Sequence, residues 1–368
     1  MRNQGFVMRR LIGLTVVAIV AALLVTSAAE AKGAKNLFGL NYVFKEMNAK
    51  DAQTLKKSGV KTVRWQMQWT QIEPTPGHFN WSVPDKLVGD LAEKGIRVLP
   101  IMWRSPQWVQ NCTERCTIKP PLSSQHAKDA WQEFLRAAVK RYGPTGEFWK
   151  HFKKEHHHKD PQPIKTWEIW NEPNLATAMS PPSPDLYANL LQISKSAIKG
   201  VDGHADVMFG GLLAHSPSGP TAATFLHRVY DQPGAKKAFD VAAIHAYASS
   251  AGDMVDDVHG MRRVMNRNGD KKTPIWIAEI GWGSAPSDPA NHGQTKGLQG
   301  QKKILKHSFK ALKKKHKRWN IKKVLWFNYR DFAGSGNPLF CAYCGSAGLL
   351  RYDYSPKPAW DAFRRFTR

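Results

Sequence analysis

Carboxylates are scarce in this chain: 29 Asp and Glu stand against 54 Lys and Arg, a formal charge of +25 over 368 residues. A field of that sign favours anionic partners, such as acidic polysaccharide, anionic wall polymers or lipid headgroups. Long apolar runs are absent after Val25, so nothing beyond the first residues resembles a membrane span. Only four cysteines occur, and no thioredoxin-like unit surrounds the Cys341-x-x-Cys344 pair, which disfavours a redox motif. No glycine-rich phosphate loop follows the first apolar segment, so a dinucleotide-binding sheet loses its main support. No repeat or break in composition divides the chain.

At the N-terminus, Arg2, Arg9 and Arg10 precede the apolar run Leu11 to Val25, followed by the Ala-x-Ala site Ala29, Glu30, Ala31. The run is short for a bilayer, and the pattern predicts a signal peptide over 1–31 cleaved near Lys32, with an uncleaved anchor as the alternative. Met8 is a second candidate start. Residues 32–368 are then one domain, secreted or held at the cell surface, and export argues against nucleic acid as the natural target. In an exported chain, Cys112 with Cys116 and Cys341 with Cys344 read as two local disulfides. A zinc site built from all four thiolates is the alternative. His156, His157 and His158 lie in a polar segment and read as an exposed loop. Lys302 to Lys323 is rich in lysine, with Ile304, Leu305, Phe309 and Leu312 at helical spacing. That pattern predicts an amphipathic helix with a solvated basic face, with a binding patch for an anionic partner as the alternative.

Apolar, β-rich runs begin at Leu37, Lys61, Ile96, Lys165, Asp206, Phe239, Thr273 and Lys322. Between them lie helical patterns with recognisable ends: Asn48 to Gly59, Pro84 to Gly95, Ala127 to Gly143, Ser183-Pro184 to Gly200, and a last helix from Ser355. Eight strands alternating with helices predict an α/β fold of the (β/α)8 TIM-barrel type, a single domain.

In such a barrel the working residues sit where strands give way to loops on one face. The fourth strand ends on Asn171 and Glu172, with Pro173 barring its continuation, and the seventh ends at Glu279. The second, sixth and eighth end near Arg64, at His245 with Tyr247, and at Trp326. Two carboxylates in one cleft suit glycoside hydrolysis: one acid protonates the leaving oxygen while the other carboxylate attacks or stabilises the sugar carbon. An ionised nucleophile disfavours a second charge nearby, which keeps its partner protonated as general acid. Arg64 either holds the nucleophile ionised or pairs inside the barrel with Glu168. Sugar rings have apolar faces that stack on indoles, and Trp282 and Trp326 are the candidates, ahead of Trp103 and Trp108.

The motifs "NEPN", "IHAY" and "AEIGW" with the tryptophan of strand eight resemble retaining glycoside hydrolases of clan A over nearly the whole mature chain. Within the clan, "WTQIEPTPGHFNW" (69–81) is similar to family 39-like enzymes, with family 5-like ones next. The resemblance implies Glu172 as acid/base and Glu279 as nucleophile. It implies Asn171 on the sugar 2-hydroxyl, Arg64 and Tyr247 positioning the nucleophile, His245 lining the pocket, and Trp326 flooring the subsite of the cleaved sugar. The expected function is a retaining hydrolase of β-linked poly- or oligosaccharide that needs no metal or cofactor and acts as a monomer. A transglycosylase and a non-catalytic glycan-binding barrel are the alternatives.

Overall fold

The computed structural model describes residues 36–368 except 111, 289, 291, 334–340 and 342, so the signal segment expected over 1–31 lies outside the described residues. The chain runs β1 (Phe38–Tyr42), α1 (Ala49–Ser58), β2 (Thr62–Gln68), α2 (Trp69–Ile72), α3 (Ser82–Glu93), β3 (Arg97–Trp103), α4 (Gln125–Tyr142), α5 (Glu147–Glu155) and β4 (Thr166–Ile169). It continues α6 (Pro184–Lys199), β5 (Asp206–Phe209), β6 (Leu212–Leu213), α7 (Ala222–Tyr230), β7 (Ala242–His245), α8 (Ala251–Arg267), β8 (Ile275–Ile280), α9 (Gly297–Lys315), β9 (Ile321–Trp326) and α10 (Pro358–Thr367).

All strand pairings are parallel, in the order β5-β4-β3-β2-β1-β9-β8-β7-β6. The two edge strands are neighbours in sequence. β5 and β6 are the halves of one stave, which pairs with β4 through its first half and with β7 through its second. Where they part, Phe209 N donates to Val241 O at 2.8 Å, and Met208 bridges Val241. The sheet therefore closes into eight staves, the TIM barrel that the alternation predicts.

Residues 206–213 read as one strand in sequence, and the glycine pair Gly210-Gly211 breaks it. A Cβ on Gly210 would sit 2.8 Å from the carbonyl oxygens of Ile169 and Trp170, and one on Gly211 would sit 2.0 Å from His245 Nε2. Only the bare backbone fits where the stave passes from one neighbour to the other.

Local chemistry sets the helix ends. Asn48 and Asp51 form a capping box on α1, and Gly59 closes it at φ 84°. Ser183 and Pro184 open α6 as expected. α4 starts two residues before Ala127, because Ser124 accepts from Ala127 N. α3 begins at Ser82, ahead of Pro84, and α10 begins at Pro358, three residues after Ser355. On α9, Leu305, Phe309 and Leu312 are buried, and Phe309 stacks on Phe38 at 4.2 Å. Inside the barrel Leu99, Met208, Val241, Ala243, Ala278 and Leu325 form one cluster.

Both cysteine pairs are disulfides, Cys112–Cys116 and Cys341–Cys344, which leaves no thiolate for the zinc alternative. His156 ends α5 and His157 and His158 are exposed, in keeping with a loop. Among the described residues no helix is long and apolar enough to cross a membrane.

Candidate active site

Beyond Ile169 the chain leaves β4 through two left-handed residues, Trp170 at φ 68° and Glu172 at φ 44°. Neither is glycine, so the turn carries strain that its surroundings must hold. They do so through buried partners. The Trp170 indole donates to Ala178 O at 3.0 Å. Asn174 donates to Leu213 O and Pro220 O, at 2.8 and 2.9 Å, and accepts from Leu213 N at 3.0 Å. The turn bearing Glu172 is thus laced to β6.

Glu279 projects from β8 between two register irregularities, against β7 at Ile244/His245 and against β9 at Ile277/Ile280. Such bulges re-aim side chains at barrel rims. Its Oε1 accepts from Arg64 Nη1 at 2.5 Å and its Oε2 from Tyr247 OH at 2.6 Å. Glu172 Oε1 lies 2.8 Å from His245 Nδ1, and His245 Nε2 lies 3.6 Å from Glu279 Oε1. One oxygen of each carboxylate and one imidazole nitrogen all lie within 4.8 Å of one another. The carboxyls keep some exposure, 17% and 12%, whereas Arg64 and His245 beneath them are sealed.

Arg64 unites the two expectations made for it. Nε and Nη2 grip Glu168 at 2.6 and 2.8 Å while Nη1 reaches Glu279. Nη2 also donates to Asn171 Oδ1 at 2.9 Å, and Nη1 to Asn41 Oδ1 at 3.1 Å. Glu168 in turn accepts from Gly211 N at 3.0 Å. The buried cation is therefore matched by hydrogen-bonded acceptors on all sides, which a buried charge requires.

The electrostatics of the two faces follow. Burial pushes the Glu279 carboxyl up, but the charges of His245 and Arg64, with hydrogen bonds from Tyr247 and Arg64, outweigh it and hold the group below the ordinary carboxylate range. Burial opposes the Arg64 charge too, and Glu168 and then Glu279 more than restore it. Burial and then the Glu279 charge push the Tyr247 phenol well above its usual value, so it remains a donor. Glu172, His245 and Glu279 are the described residues with spacing to hold a cation. The guanidinium of Arg64 already supplies positive charge at Glu279.

Three sequence expectations need correction. Arg64 is the third residue of a seven-residue strand, deep in the barrel rather than at a strand end. Trp282 and Trp326 are completely buried, their indoles 6.0 Å apart and bonded to Ala248 O and Ala347 O at 2.8 and 3.1 Å. They pack beneath the site and offer no ring face to a sugar. Trp103 is also buried, and Trp108 donates to Glu73 O at 3.0 Å.

The partly exposed rings beside Glu279 are others. Tyr247 lies 6.2 Å from Phe327 and 5.6 Å from Tyr343, and all three keep some surface. Burial, then Glu279 and Glu172, push the Tyr343 phenol well above its usual value, which places it within the field of both carboxylates. Neither Phe327 nor Tyr343 was expected from the sequence. The available signal was "CAYC", a ring carried between two disulfide-bonded cysteines three positions apart.

Residues 142–342 match the family model described as glycosyl hydrolase catalytic core, and residues 41–183 match one described as beta-galactosidase. A curated beta-xylosidase from Geobacillus stearothermophilus is 25% identical over 223 residues, which cover 55% of this chain and 41% of that protein. This chain therefore spans less than half the length of that relative. Among solved structures, a family 39 glycoside hydrolase from Bacteroides cellulosilyticus WH2 is similar at a TM-score of 0.68 and 19% identity, covering 91% of this chain and 64% of its own. Xylanase 10B from Thermotoga maritima gives 0.62 at 13%, covering 92% and 97%. At these identities the structural likeness establishes the shared barrel.

Proposed function

Because the chain belongs to the glycosyl hydrolase catalytic core family, we propose that it is an exported, retaining β-glycosidase working by double displacement. The observation that carries this reading is the pairing of Glu172 and Glu279 with oxygens within 4.8 Å. Retaining enzymes hold their carboxyls about 5–5.5 Å apart, and inverting ones hold them farther apart to admit a water.

In the first step a Glu279 oxygen forms a bond to the anomeric carbon as the glycosidic C–O bond breaks, and Glu172 passes its proton to the departing oxygen. In the second, Glu172 takes a proton from water, whose oxygen displaces Glu279 from the anomeric carbon. Two inversions leave the configuration unchanged. Arg64 and Tyr247 fix both Glu279 oxygens, so the nucleophile is oriented and charged before substrate arrives. His245 orients Glu172 through Nδ1. Asn171, its oxygen turned to Arg64, keeps its amide nitrogen for a sugar hydroxyl. Phe327, Tyr247 and Tyr343 supply ring surface near the bond being cleaved.

A β-xyloside is the first substrate to try, since the curated relative is a beta-xylosidase. Purified wild type should turn over an aryl β-xyloside or another member of an aryl β-glycoside panel. Glu279→Gln should lose several orders of magnitude, and Glu172→Gln should lose about 10²–10⁴-fold, most on poor leaving groups. Undiminished turnover in either variant removes the role given to that residue. Glycan binding without turnover in wild type would favour a non-catalytic binder.

A further inference from the structure

Away from the catalytic mouth, α9 and α10 enclose a groove of about 670 Å³. Lys302, Lys306, Lys310 and Lys313 line one wall, and Arg365, Phe366 and Ala362 the other. Successive lysines at four, four and three residues keep to one stripe of the helix, which at 1.5 Å per residue is ~16 Å long. Like charges at that spacing repel and weaken the helix that carries them. The C-terminal Lys313, Lys314 and Lys315 are favoured by the helix dipole. Lys302, Lys306 and Lys310 lie outside the last turn and gain nothing from it.

The fold does not neutralise the stripe. No Asp or Glu occurs from Gly297 to Arg330. Among the described residues none of the four lysines has an acid at ion-pair distance, and Asp361, the one acid lining the groove, pairs with Arg364 at 3.5 Å. Lys302 and Lys306 are half-buried at the groove, whereas Lys310 and Lys313 are exposed. A flat anionic bilayer would meet the exposed pair most fully. A single extended chain lying in the trough reaches all four. Phe366, half-buried beside Arg365, and Pro358 add apolar surface of the kind on which sugar rings pack.

We propose that this groove binds one chain of an acidic polysaccharide, its carboxylates or sulfates on the lysine stripe and its ring faces against Phe366 and Pro358. The choice of polysaccharide over other polyanions rests on the glycan-cleaving reading. The groove lies on the outer wall between two barrel helices, so binding there tethers polymer without occupying the catalytic cleft.

The test is calorimetric titration of the full chain with polygalacturonate, with dextran as the neutral control, at low and high salt. Lys306→Glu/Lys310→Glu should weaken polygalacturonate binding at least about tenfold and flatten its salt dependence. Lys153→Glu/Lys154→Glu, on the distant α5 and equal in charge change, should stay near wild type. Glu279→Gln should bind the polymer as wild type does, which separates this site from the catalytic reading. Aryl-glycoside turnover should be unchanged in the groove variant, which also shows that it is folded. Equal loss in both double variants, equal affinity for dextran, or no binding by wild type at low salt overturns the proposal. Tighter binding of a single-stranded oligonucleotide with the same lysine dependence would overturn it in favour of a different polymer.

Discussion

Tyr247 is the residue at which the balance around Glu279 can be probed with least disturbance. Its hydroxyl donates to Glu279 Oε2 at 2.6 Å and is one of the contributions holding that carboxyl low. Tyr247→Phe removes the donor and keeps the ring, so Glu279 should bind its proton more readily. The acidic limb of kcat/KM, where Glu279 as the proposed nucleophile must lose a proton, should move to higher pH. The plateau should fall about 10–100-fold, the worth of a hydrogen bond to a charged group. An acidic limb that stays in place or moves to lower pH would show that Tyr247 does not hold the charge. Residues of this kind were legible in the sequence because a polar group at or just past the end of an apolar stave has few structural reasons to be there, as with Glu279 near the end of β8 and Asn171 and Glu172 in the turn after β4. Burial of an indole was not legible. Trp282 follows a strand end and Trp326 closes one, as a sugar platform would, but their N–H groups find backbone carbonyls inside the fold, a partner that only tertiary structure reveals.

At the scale of elements, the seven unbroken staves could be read from their apolar runs. The eighth, residues 206–213, could be read as a strand but not as a split one, since the break depends on what lies across from Gly210 and Gly211. Arg64 was misjudged for a related reason. Its strand continues four residues further than a polar strand end suggests, because Gln66 and Gln68 are tolerated at the barrel mouth. The glycine break also bears on catalysis. His245 Nε2 packs directly over Gly211, where an added Cβ would stand 2.0 Å away. Gly211→Ala should therefore displace His245 from Glu172 and lower kcat/KM, at a stability cost of about 1–3 kcal/mol from overpacking. Kinetics alongside thermal melting checks this. An unchanged kcat/KM with the barrel intact would mean that His245 is not held by the stave beneath it.

Across the whole molecule, closure of the barrel brings together residues from β2, β7 and β8 and from the turns after β4 and β7, which lie up to 215 positions apart in the chain. The same closure leaves the outer helices free to carry the basic surface, so the lysine stripe and the Glu172–Glu279 pair occupy different parts of one fold. The charge was visible in composition. Its arrangement as a groove between α9 and α10 depends on a packing that no local pattern encodes. The 4.8 Å grouping of Glu172, His245 and Glu279 is the feature on which the proposed reaction rests, and the stereochemistry of that reaction is its most direct consequence. Proton NMR of the sugar first released from an aryl β-glycoside, recorded before mutarotation, tests it. Double displacement at Glu279 gives the β-anomer as the initial product. Initial release of the α-anomer would mean single displacement by water, and would contradict the assignment of Glu279 as nucleophile.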